Sequence, residues 1–391
     1  MKLLLIKFGK AWNTLKRDGL IRGGKRVGKA FFSMFGRVKS GDILFVTGGV
    51  GDSTLYRCHH VAEELEIHGF RCAVTVQDNP FLSGYADKFK IFIFHRVLYS
   101  PGVAKLISRI KEKGKEIIFE TDDLVFDPKY LINMDYYRQM NVFEKKLYEN
   151  GVGGEILNDP YVKVCTTTTT YLAKKLKEKN KNVFIVPNKL SNNDLEVAEK
   201  IIRTQISRTD DKIRIGYFSG TISHNKDFAT ITDALMEIME RFPQVELFLA
   251  GPLDIENKLN KYKKRIKQLP YVPREKHFEN IALVDINIVP LEIGNPFCEA
   301  KSELKFFEAG ILGVPTVASA MQTFKEAIDD GIDGLIAATK DEWVLKLEKL
   351  IDSVDLRKKI GEAVYRKSIE NYTNINSKNT EFYDYLNSKL K

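Results

Sequence analysis

Two lysines, a serine and a glutamate in the segment PFCEAKSELKFFEAGILGVPTVA, residues 296–318, could together bind a phosphorylated ligand. Lys301 and Ser302 are predicted to lie at or just before the first turn of a helix. Free backbone N–H groups and the positive end of the helix dipole favour an anion there. Lys305 and Glu308 follow one and two turns further along, within side-chain reach of that turn. A cation, a hydroxyl and free amides suit a diphosphate, and a carboxylate deeper in the helix suits a ribose diol.

Lysine and glutamate at these spacings are also common on solvated helix faces. The order of the parts favours a binding site, because a glutamate on an apolar helix is followed by Gly-Val-Pro and a short strand, Thr316–Ala318. The run KSELKFFEAGILGVPTVAS resembles the donor-binding segment of the retaining GT-B glycosyltransferases of family four, the group 1 class. The resemblance implies that Glu308 binds the ribose of a nucleotide-sugar. The family's second glutamate would fall at Ala300, with Glu299 beside it, and the K-S-x-x-K variant found here is that of a sub-branch.

Length, composition and charge predict a two-domain protein that does not bind nucleic acid. At 391 residues the chain exceeds a usual single core, and its composition is that of a soluble globular protein. The four cysteines lack C-x-x-C spacing, which argues against a zinc site or a disulfide framework and for a reducing cytosol. Residues 1–40 carry a net charge of +10 and the whole chain +9, so residues 41–391 have a net charge of −1. A body without excess positive charge is not expected to attract the phosphates of a nucleic acid.

Residues 1–40 predict a basic amphipathic extension with one or two helices, interrupted at Gly23-Gly24. Cations beside bulky apolar residues at helical intervals are typical of helices in a membrane interface, where each basic residue contributes about 1 kcal/mol. A disordered basic tail or a helix packed on the body are the alternatives. No apolar run approaches the roughly 20 residues of a membrane span, and Leu3–Ile6 is too short for a signal peptide. We therefore expect a cytoplasmic protein, peripheral on the inner face of the cell membrane and bound to its anionic surface.

A glycine-rich turn follows the first apolar run of the body. Ile43–Val46 is typical of a buried parallel strand and leads into Thr-Gly-Gly-Val-Gly-Asp-Ser. Gly48 and Gly49 are therefore candidates for a ligand-facing loop at the carboxyl end of a sheet, and a tight strand–helix turn is the alternative. The spacing resembles the family's first loop, which approaches both donor and acceptor.

Polar side chains end two later strands. His95 follows the predicted strand Ile91–Phe94, and Asp122 and Asp123 follow Glu116–Phe119. Because the carboxyl ends of parallel strands face the cleft of such a sheet, these three residues are candidates for catalysis. A structural hydrogen bond for the histidine and a helix or turn cap for the aspartates are the alternatives. The segments FHRV and ETDDLVFD resemble the same sub-branch, which favours the catalytic interpretation.

The second half of the body repeats the pattern of the first. The strand Arg214–Phe218 leads into the loop SGTISHNKDF, where Gly220 and Thr221 would let the backbone approach a pyrophosphate and Lys226 adds a cation. The loop resembles the family's diphosphate-binding loop, although the usual G-R-x-x-x-x-K-G form is replaced. The patterns divide the chain into a basic extension, a first Rossmann-like domain for the acceptor, a linker, a second Rossmann-like domain for the nucleotide-sugar and a final helix that returns to the first domain: residues 1–40, 41–190, 191–210, 211–371 and 372–391.

We therefore predict an α/β protein whose two Rossmann-like domains face each other across a cleft, the GT-B fold, with a basic amphipathic N-terminal helical extension. The resemblance implies transfer of a sugar, with retention, from a nucleotide-sugar to a glycan or lipid-linked acceptor in cell-surface polysaccharide or glycolipid synthesis. No D-x-D motif stands in the usual place, so we predict that Lys301, Lys305 and Lys226 neutralise the leaving diphosphate without a metal or other cofactor. A non-hydrolysing nucleotide-sugar 2-epimerase and a non-catalytic, membrane-bound nucleotide-sugar binding protein are the alternatives.

Overall fold

The computed structural model describes residues 24, 28, 31, 34–49, 51–133, 137, 140, 142–204, 208–219, 225–251, 253, 257–270 and 272–391. Most of the predicted N-terminal extension lies outside these residues. Gly220 and Thr221 of the predicted diphosphate loop also lie outside them.

Two six-stranded parallel sheets form the body and confirm the predicted fold class. The first sheet has the order β2-β1-β3-β4-β5-β6 and the second the order β12-β11-β10-β7-β8-β9. The strands, numbered in chain order, are β1 Ile43–Thr47, β2 Cys72–Val76, β3 Ile91–His95, β4 Glu116–Thr121, β5 Val164–Thr167, β6 Asn182–Ile185, β7 Ile213–Phe218, β8 Val245–Ala250, β9 Ile266–Leu269, β10 Ile286–Val289, β11 Thr316–Ser319 and β12 Leu335–Ala337.

Helices connect the strands and cover both faces of each sheet, as right-handed crossovers between parallel strands require. The helix α1 is continuous through three parts, Asp52–Thr54, a π-helical turn Leu55–His60, and Val61–Ile67. The other α-helices are α2 Pro101–Glu112, α3 Val142–Leu147, α4 Gly154–Asn158, α5 Thr170–Lys177, α6 Asn192–Thr204, α7 Asn225–Ala229, α8 Thr232–Arg241, α9 Arg274–Ala282, α10 Pro296–Glu299, α11 Leu304–Gly310, α12 Gln322–Ala327, α13 Lys340–Asp352, α14 Val354–Asn371 and α15 Thr380–Ser388. Short 3-10 turns cover Leu82–Asp87, Leu124–Phe126, Pro128–Asn133 and Asn257–Arg265.

The strands at the centre of each sheet are buried on both faces, which explains their near-continuous apolar runs. In β1 all five residues are buried, and the register pairs Phe45 with Val74 of β2 and with Ile93 of β3. The register of β7 pairs Tyr217 with Leu249 of β8 in the same way.

The last helix packs on the first domain rather than on the second. Phe382 and Leu386 of α15 lie in the same buried cluster as Phe45 of β1. The hydroxyl of Tyr383 donates to Oε1 of Glu64 in α1 at 2.6 Å. The chain therefore crosses between the domains twice, once through residues 186–191 and once before α15.

Candidate active site at the carboxyl ends of the strands

The predicted anion-binding segment of the second domain lies against the first domain. Helix α11 begins at Leu304, so Lys301 and Ser302 lie in the turn just before it. The Nζ atom of Lys301 donates to Oδ2 of Asp123 at 3.1 Å. The Oγ atom of Ser302 accepts from Nδ2 of Asn188 at 2.9 Å. Both side chains thus point into the junction between the domains.

Glu308 is the most strongly bound carboxylate of this segment. It is 4% exposed, and its Oε1 accepts from the hydroxyl of Tyr56 at 2.6 Å and from Nη1 of Arg274 at 3.0 Å. His277 Nε2 lies 3.4 Å from Oε2. Burial alone would raise the pKa of Glu308, but the hydrogen bond from His277 and the charges of His277 and Arg274 lower that pKa to about 2. Glu308 is therefore an ionised, pure acceptor at neutral pH.

Arg274 connects Glu308 to the linker helix α6. Its Nε donates to Oδ1 of Asp194 at 2.5 Å and its Nη2 donates to Oδ2 at 3.0 Å. The guanidinium lies over the ring of Tyr56, 4.6 Å from its centroid, and also donates to the Tyr56 hydroxyl. A planar fork that bridges two carboxylates and stacks on a ring is the geometry for which arginine is suited and lysine is not.

Lys305 is partly buried beside the ring of Tyr217 in strand β7. Its Nζ lies 4.9 Å from the centroid of the Tyr217 ring. Burial is the main effect and the charge of Lys301 adds to it, so that the pKa of Lys305 is lowered to about 8 against the opposing charge of Asp227. The side chain is a cation at neutral pH that has lost much of its hydration, so an anion brought next to it would be bound strongly.

Two further predicted donor-site residues of the second domain that the structure describes, Lys226 and Glu299, lie apart from this group. Lys226 is exposed on α7. Glu299 faces α12, where its Oε2 lies 3.4 Å from the backbone nitrogen of Gln322. The structure therefore places Lys301, Ser302, Lys305 and Glu308 in one segment and directs the carboxylate of Glu299 toward a neighbouring helix.

In the first domain a serine joins two of the predicted catalytic residues. The Oγ atom of Ser53, in the first turn of α1, lies 2.8 Å from Nε2 of His95 and donates to Oδ2 of Asp122 at 2.8 Å. The ring of His95 is 1% exposed, and its Nδ1 lies 3.7 Å from Oε1 of Glu120. The carboxyl ends of β3 and β4 thus meet the start of α1, as the topology of a parallel sheet predicts.

Arg96 holds both aspartates that follow β4. Its Nε donates to Oδ1 of Asp122 at 2.5 Å, and its Nη2 to Oδ2 of Asp123 at 3.3 Å. Burial opposes ionisation of Asp122, but the charges of Arg96, His95 and Arg57 outweigh it and hold the pKa of Asp122 well below its ordinary value. Asp122 therefore remains a carboxylate and is suited to accept hydrogen bonds rather than to donate a proton. Arg96 itself has a φ of 47°, a left-handed conformation that is uncommon outside glycine.

A buried ion pair between Arg57 and Glu120 lies next to this end of the first sheet. Arg57 donates through Nε and Nη2 to the two carboxylate oxygens of Glu120, at 2.8 and 2.9 Å. Its Nη1 donates to the carbonyl oxygen of Val186 and to Oδ1 of Asn188, at 2.7 and 3.0 Å. Asn188 is the residue that contacts Ser302, so this network extends from the His95 strand end to the second domain.

Gly48 and Gly49 differ in the space around them. A Cβ atom at Gly48 would lie 1.9 Å from the carbonyl oxygen of Arg96, whereas one at Gly49 would have no neighbour within 4 Å. Gly251, which follows β8 in the second sheet, has a φ of 93°. A Cβ atom there would lie 1.9 Å from the carbonyl oxygen of Ser219. Gly48 is therefore required by the packing of the loop against Arg96, and Gly49 faces open space.

Within the part of the chain that the structure describes, no group of three histidine, cysteine, aspartate or glutamate side chains is arranged to hold a metal ion. None of the helices in that same part is long and apolar enough to cross a membrane.

Comparison with protein families identifies the second domain. Residues 213–353 match the family "Glycosyl transferases group 1". The second domain is a group 1 glycosyltransferase domain, and the protein is a glycosyltransferase. The match begins at the first residue of β7 and ends after α13, so it contains the whole segment from Lys301 to Glu308. None of the curated proteins matches the sequence of this glycosyltransferase at a significant level.

Solved structures show the same architecture over most of the glycosyltransferase chain. HepE from Anabaena in complex with UDP has a TM-score of 0.58 at 14% identity, and the match covers 89% of this chain and 100% of that chain. A glycosyltransferase from Rickettsia africae has a TM-score of 0.59 at 15% identity, covering 89% and 99%. Sucrose-phosphate synthase from Thermosynechococcus elongatus has a TM-score of 0.59 at 11% identity, also covering 89% and 99%. The glycosyltransferase therefore has the GT-B fold.

Several residues of this site lacked a sequence signal. Tyr56 and Arg274 are 218 positions apart in the sequence, with Asp194 between them. No sequence motif contains all three residues. Ser53 ends the glycine-rich turn, and this position is a signal that its hydroxyl could contact a ligand. Its contact with His95 depends on the order of the strands in the sheet, which local sequence patterns do not predict.

Proposed function

We propose that this glycosyltransferase moves a sugar, with retention and without a metal ion, from a nucleotide-sugar to a glycan or lipid-linked acceptor in cell-surface polysaccharide or glycolipid synthesis. The observation that carries the proposal is the Glu308 carboxylate, buried and ionised, on the same short segment as the cations Lys301 and Lys305. A carboxylate that is a pure acceptor suits the two hydroxyls of a ribose. Two ammonium groups suit a diphosphate. HepE, of the same fold, was solved with UDP and with UDP-glucose, which supports a nucleotide-sugar as the donor.

The charges of the second domain support a mechanism that needs no metal. The leaving group in such a transfer is a nucleoside diphosphate, on which negative charge develops as the bond between the anomeric carbon of the sugar and the diphosphate oxygen breaks. Fixed cations stabilise that charge best when they are partly desolvated and already in place. Lys301 and Lys305 meet both conditions, because each is partly buried and each lies within the segment that holds Glu308.

The first domain supplies polar groups for the acceptor. His95 ends β3, Asp122 follows β4, and Ser53 in the first turn of α1 is hydrogen-bonded to both. In this proposal the Asp122 carboxylate orients the acceptor hydroxyl by a hydrogen bond, and the buried His95 ring holds Ser53 in place. Ser53, bonded to both, fixes their relative orientation.

The described part of the N-terminal extension supports contact with an anionic membrane. Phe31 and Phe35 are 56% and 52% exposed, and their ring centroids lie 5.2 Å apart. The guanidinium of Arg37 lies 4.4 Å from the centroid of Phe81. Asn79 Nδ2 donates to the carbonyl oxygen of Gly36 at 2.7 Å. Exposed aromatic rings and cations anchored to the body by these contacts suit the headgroup region of a bilayer.

The function is tested by nucleotide release. The purified protein is mixed with UDP-, GDP- and dTDP-sugars, with and without a lipid-linked acceptor, and free nucleoside diphosphate and the anomeric configuration of the product are measured. We expect acceptor-dependent release with one donor, unchanged by a chelator and abolished or strongly reduced in Glu308→Gln. Conversion of the sugar without an acceptor would instead indicate an epimerase, and binding without either reaction would indicate a non-catalytic binding protein. Flotation with vesicles of anionic and of neutral lipid tests the membrane contact separately.

A further inference from the structure

We propose that Tyr56 of the first domain and the ribose of the nucleotide compete for the Glu308 carboxylate. The hydrogen bond from Tyr56 to Glu308, called the Tyr56 latch below, is then released when the donor binds. This inference rests on the proposed function, in which Glu308 binds the donor ribose.

Both acceptor positions of the Glu308 Oε1 atom are already occupied in this conformation. Tyr56 and Arg274 both donate to Oε1, at 2.6 and 3.0 Å, and His277 Nε2 lies 3.4 Å from Oε2. A carboxylate oxygen accepts about two hydrogen bonds, so Oε1 is filled. Glu308 and Tyr56 are 4% and 3% exposed, so no space for a ribose remains between them. A ribose hydroxyl can therefore bond to Oε1 only if one of its present donors leaves.

Tyr56 is the donor that the fold allows to leave. Arg274 is held by two hydrogen bonds to Asp194, and it begins α9, the helix that also carries His277. Ala198 of α6, Phe278 of α9 and Phe307 of α11 belong to one buried cluster, which Tyr56 also joins. The other buried apolar residues of α1, which are Cys58, Val61, Ala62 and Leu65, belong instead to the buried cluster of the first sheet. Separation of the domains would therefore leave Arg274, His277 and Glu308 together and remove Tyr56, which belongs to α1.

The local structure of α1 is consistent with this role. Tyr56 lies in the π-helical turn Leu55–His60, and such turns occur often at functional sites. The turn places Tyr56 and His60 side by side, with ring centroids 4.7 Å apart. His60 Nδ1 lies 2.8 Å from the carbonyl oxygen of Lys189, in the segment where the chain leaves the first domain. The latch is thus adjacent to the connection about which the domains would move.

The Tyr56→Phe variant tests the latch, because it keeps the ring over Arg274 and removes only the hydroxyl. The dissociation constants of UDP, GDP and dTDP are measured by calorimetry for the wild type and the variant. We expect the nucleotide that binds the wild type to bind Tyr56→Phe about tenfold more tightly, because a competing charge-assisted hydrogen bond is gone. An unchanged or weaker affinity would overturn the latch, and so would the absence of binding by all three nucleotides.

Tyr383→Phe is a matched control. Its hydroxyl also donates to a buried carboxylate at 2.6 Å, that of Glu64, and this bond joins α15 to α1 within the first domain. We expect this variant to lose stability without a gain in nucleotide affinity. A gain of equal size in Tyr383→Phe would show that general loosening, rather than the latch, is responsible.

The double variant separates failure of the latch from failure of the proposed function. We expect Glu308→Gln to bind nucleotide more weakly, and Tyr56→Phe to have no further effect in that background. If Glu308→Gln binds as the wild type does, the ribose site and the latch are both wrong. If Glu308→Gln weakens binding and Tyr56→Phe alone does not strengthen it, the latch alone is wrong. Hydrogen exchange of the wild type gives a second measurement: exchange at residues 55–60 should rise when nucleotide is added, and protection there would contradict the latch.

Discussion

The Nζ atom of Lys301 lies 3.1 Å from Oδ2 of Asp123, which belongs to the other domain. The same Oδ2 accepts from Nη2 of Arg96 at 3.3 Å. The attraction of Asp123 raises the pKa of Lys301 against the opposing effect of burial, so the lysine remains an ammonium. Lys301, a cation of the proposed diphosphate site, therefore also forms a contact between the domains. A bound diphosphate and Asp123 would both accept hydrogen bonds from its ammonium group.

Replacing Lys301 by alanine should weaken the binding of nucleoside diphosphates by about 10- to 100-fold, because a charge-assisted hydrogen bond to a phosphate is lost. Binding of the corresponding nucleoside, which lacks phosphate, should be unchanged. Lys325→Ala is the control, since Lys325 is an exposed lysine on the nearby helix α12. Calorimetric titration of the three proteins with nucleotide and nucleoside checks this. Equal losses for nucleotide and nucleoside would contradict a phosphate contact.

The pKa of Lys305, lowered to about 8, predicts a pH dependence of binding. The side chain is mostly an ammonium at pH 7 and mostly neutral at pH 9, and a diphosphate prefers the ammonium. The affinity for nucleoside diphosphate should therefore fall as the pH rises through 8, by at most tenfold per pH unit. In Lys305→Arg the guanidinium stays charged, so its affinity should be nearly constant over the same range. Titrations between pH 7 and 9.5 check the difference, and parallel profiles for both proteins would refute the assignment.

Gly48 and Gly49 provide a matched pair of substitutions in one loop. Gly48→Ala should displace the backbone at Arg96 and lower the melting temperature and activity, because its Cβ would lie 1.9 Å from the Arg96 carbonyl oxygen. Gly49→Ala has no such neighbour and should change the stability by less than about 1 kcal/mol. Thermal melts and activity measurements of both variants check the contrast. If Gly48→Ala is as stable as Gly49→Ala, the close approach to Arg96 is not a requirement of the fold.

The sequence predicted the features that depend on local pattern. Runs such as Ile43–Val46 and Ile91–Phe94 appear in the structure as buried strands, because apolar runs of this length bounded by polar turns have few other conformations. The short edge strand Ile266–Leu269 has two exposed residues among its four and carries no such run. Its formation depends on pairing with β8, which is a tertiary effect.

The candidate site could be predicted only in part for the same reason. Lys301, Ser302, Lys305 and Glu308 lie within one segment, and local spacing was enough to group them. The partners of that segment, Tyr56 and Asp123, lie in the other domain and are brought there by the packing of two separate sheets. Nothing in residues 296–318 indicates that the carboxylate of Glu308 would be covered by a tyrosine 252 positions away.

The buried pair of Arg57 and Glu120 should be among the costliest to break. Both side chains are almost fully buried, at 0% and 2% exposure, and removing one partner would leave an uncompensated charge in the interior. Arg57→Met should therefore reduce the free energy of unfolding by about 3–5 kcal/mol. The exposed pair of Arg203 and Glu199, 3.0 Å apart on α6, offers the matched control, and Arg203→Met should cost less than about 1 kcal/mol.

Urea denaturation followed by circular dichroism measures both effects. The loss in Arg57→Met should be accompanied by weaker coupling between the domains, because the same guanidinium donates to the carbonyl oxygen of Val186 and to Asn188. Asn188 in turn donates to Ser302 of the second domain. A destabilisation of Arg57→Met no larger than that of Arg203→Met would mean that water or a neighbouring cation compensates Glu120, and that this ion pair does not hold the carboxyl end of the first sheet in place.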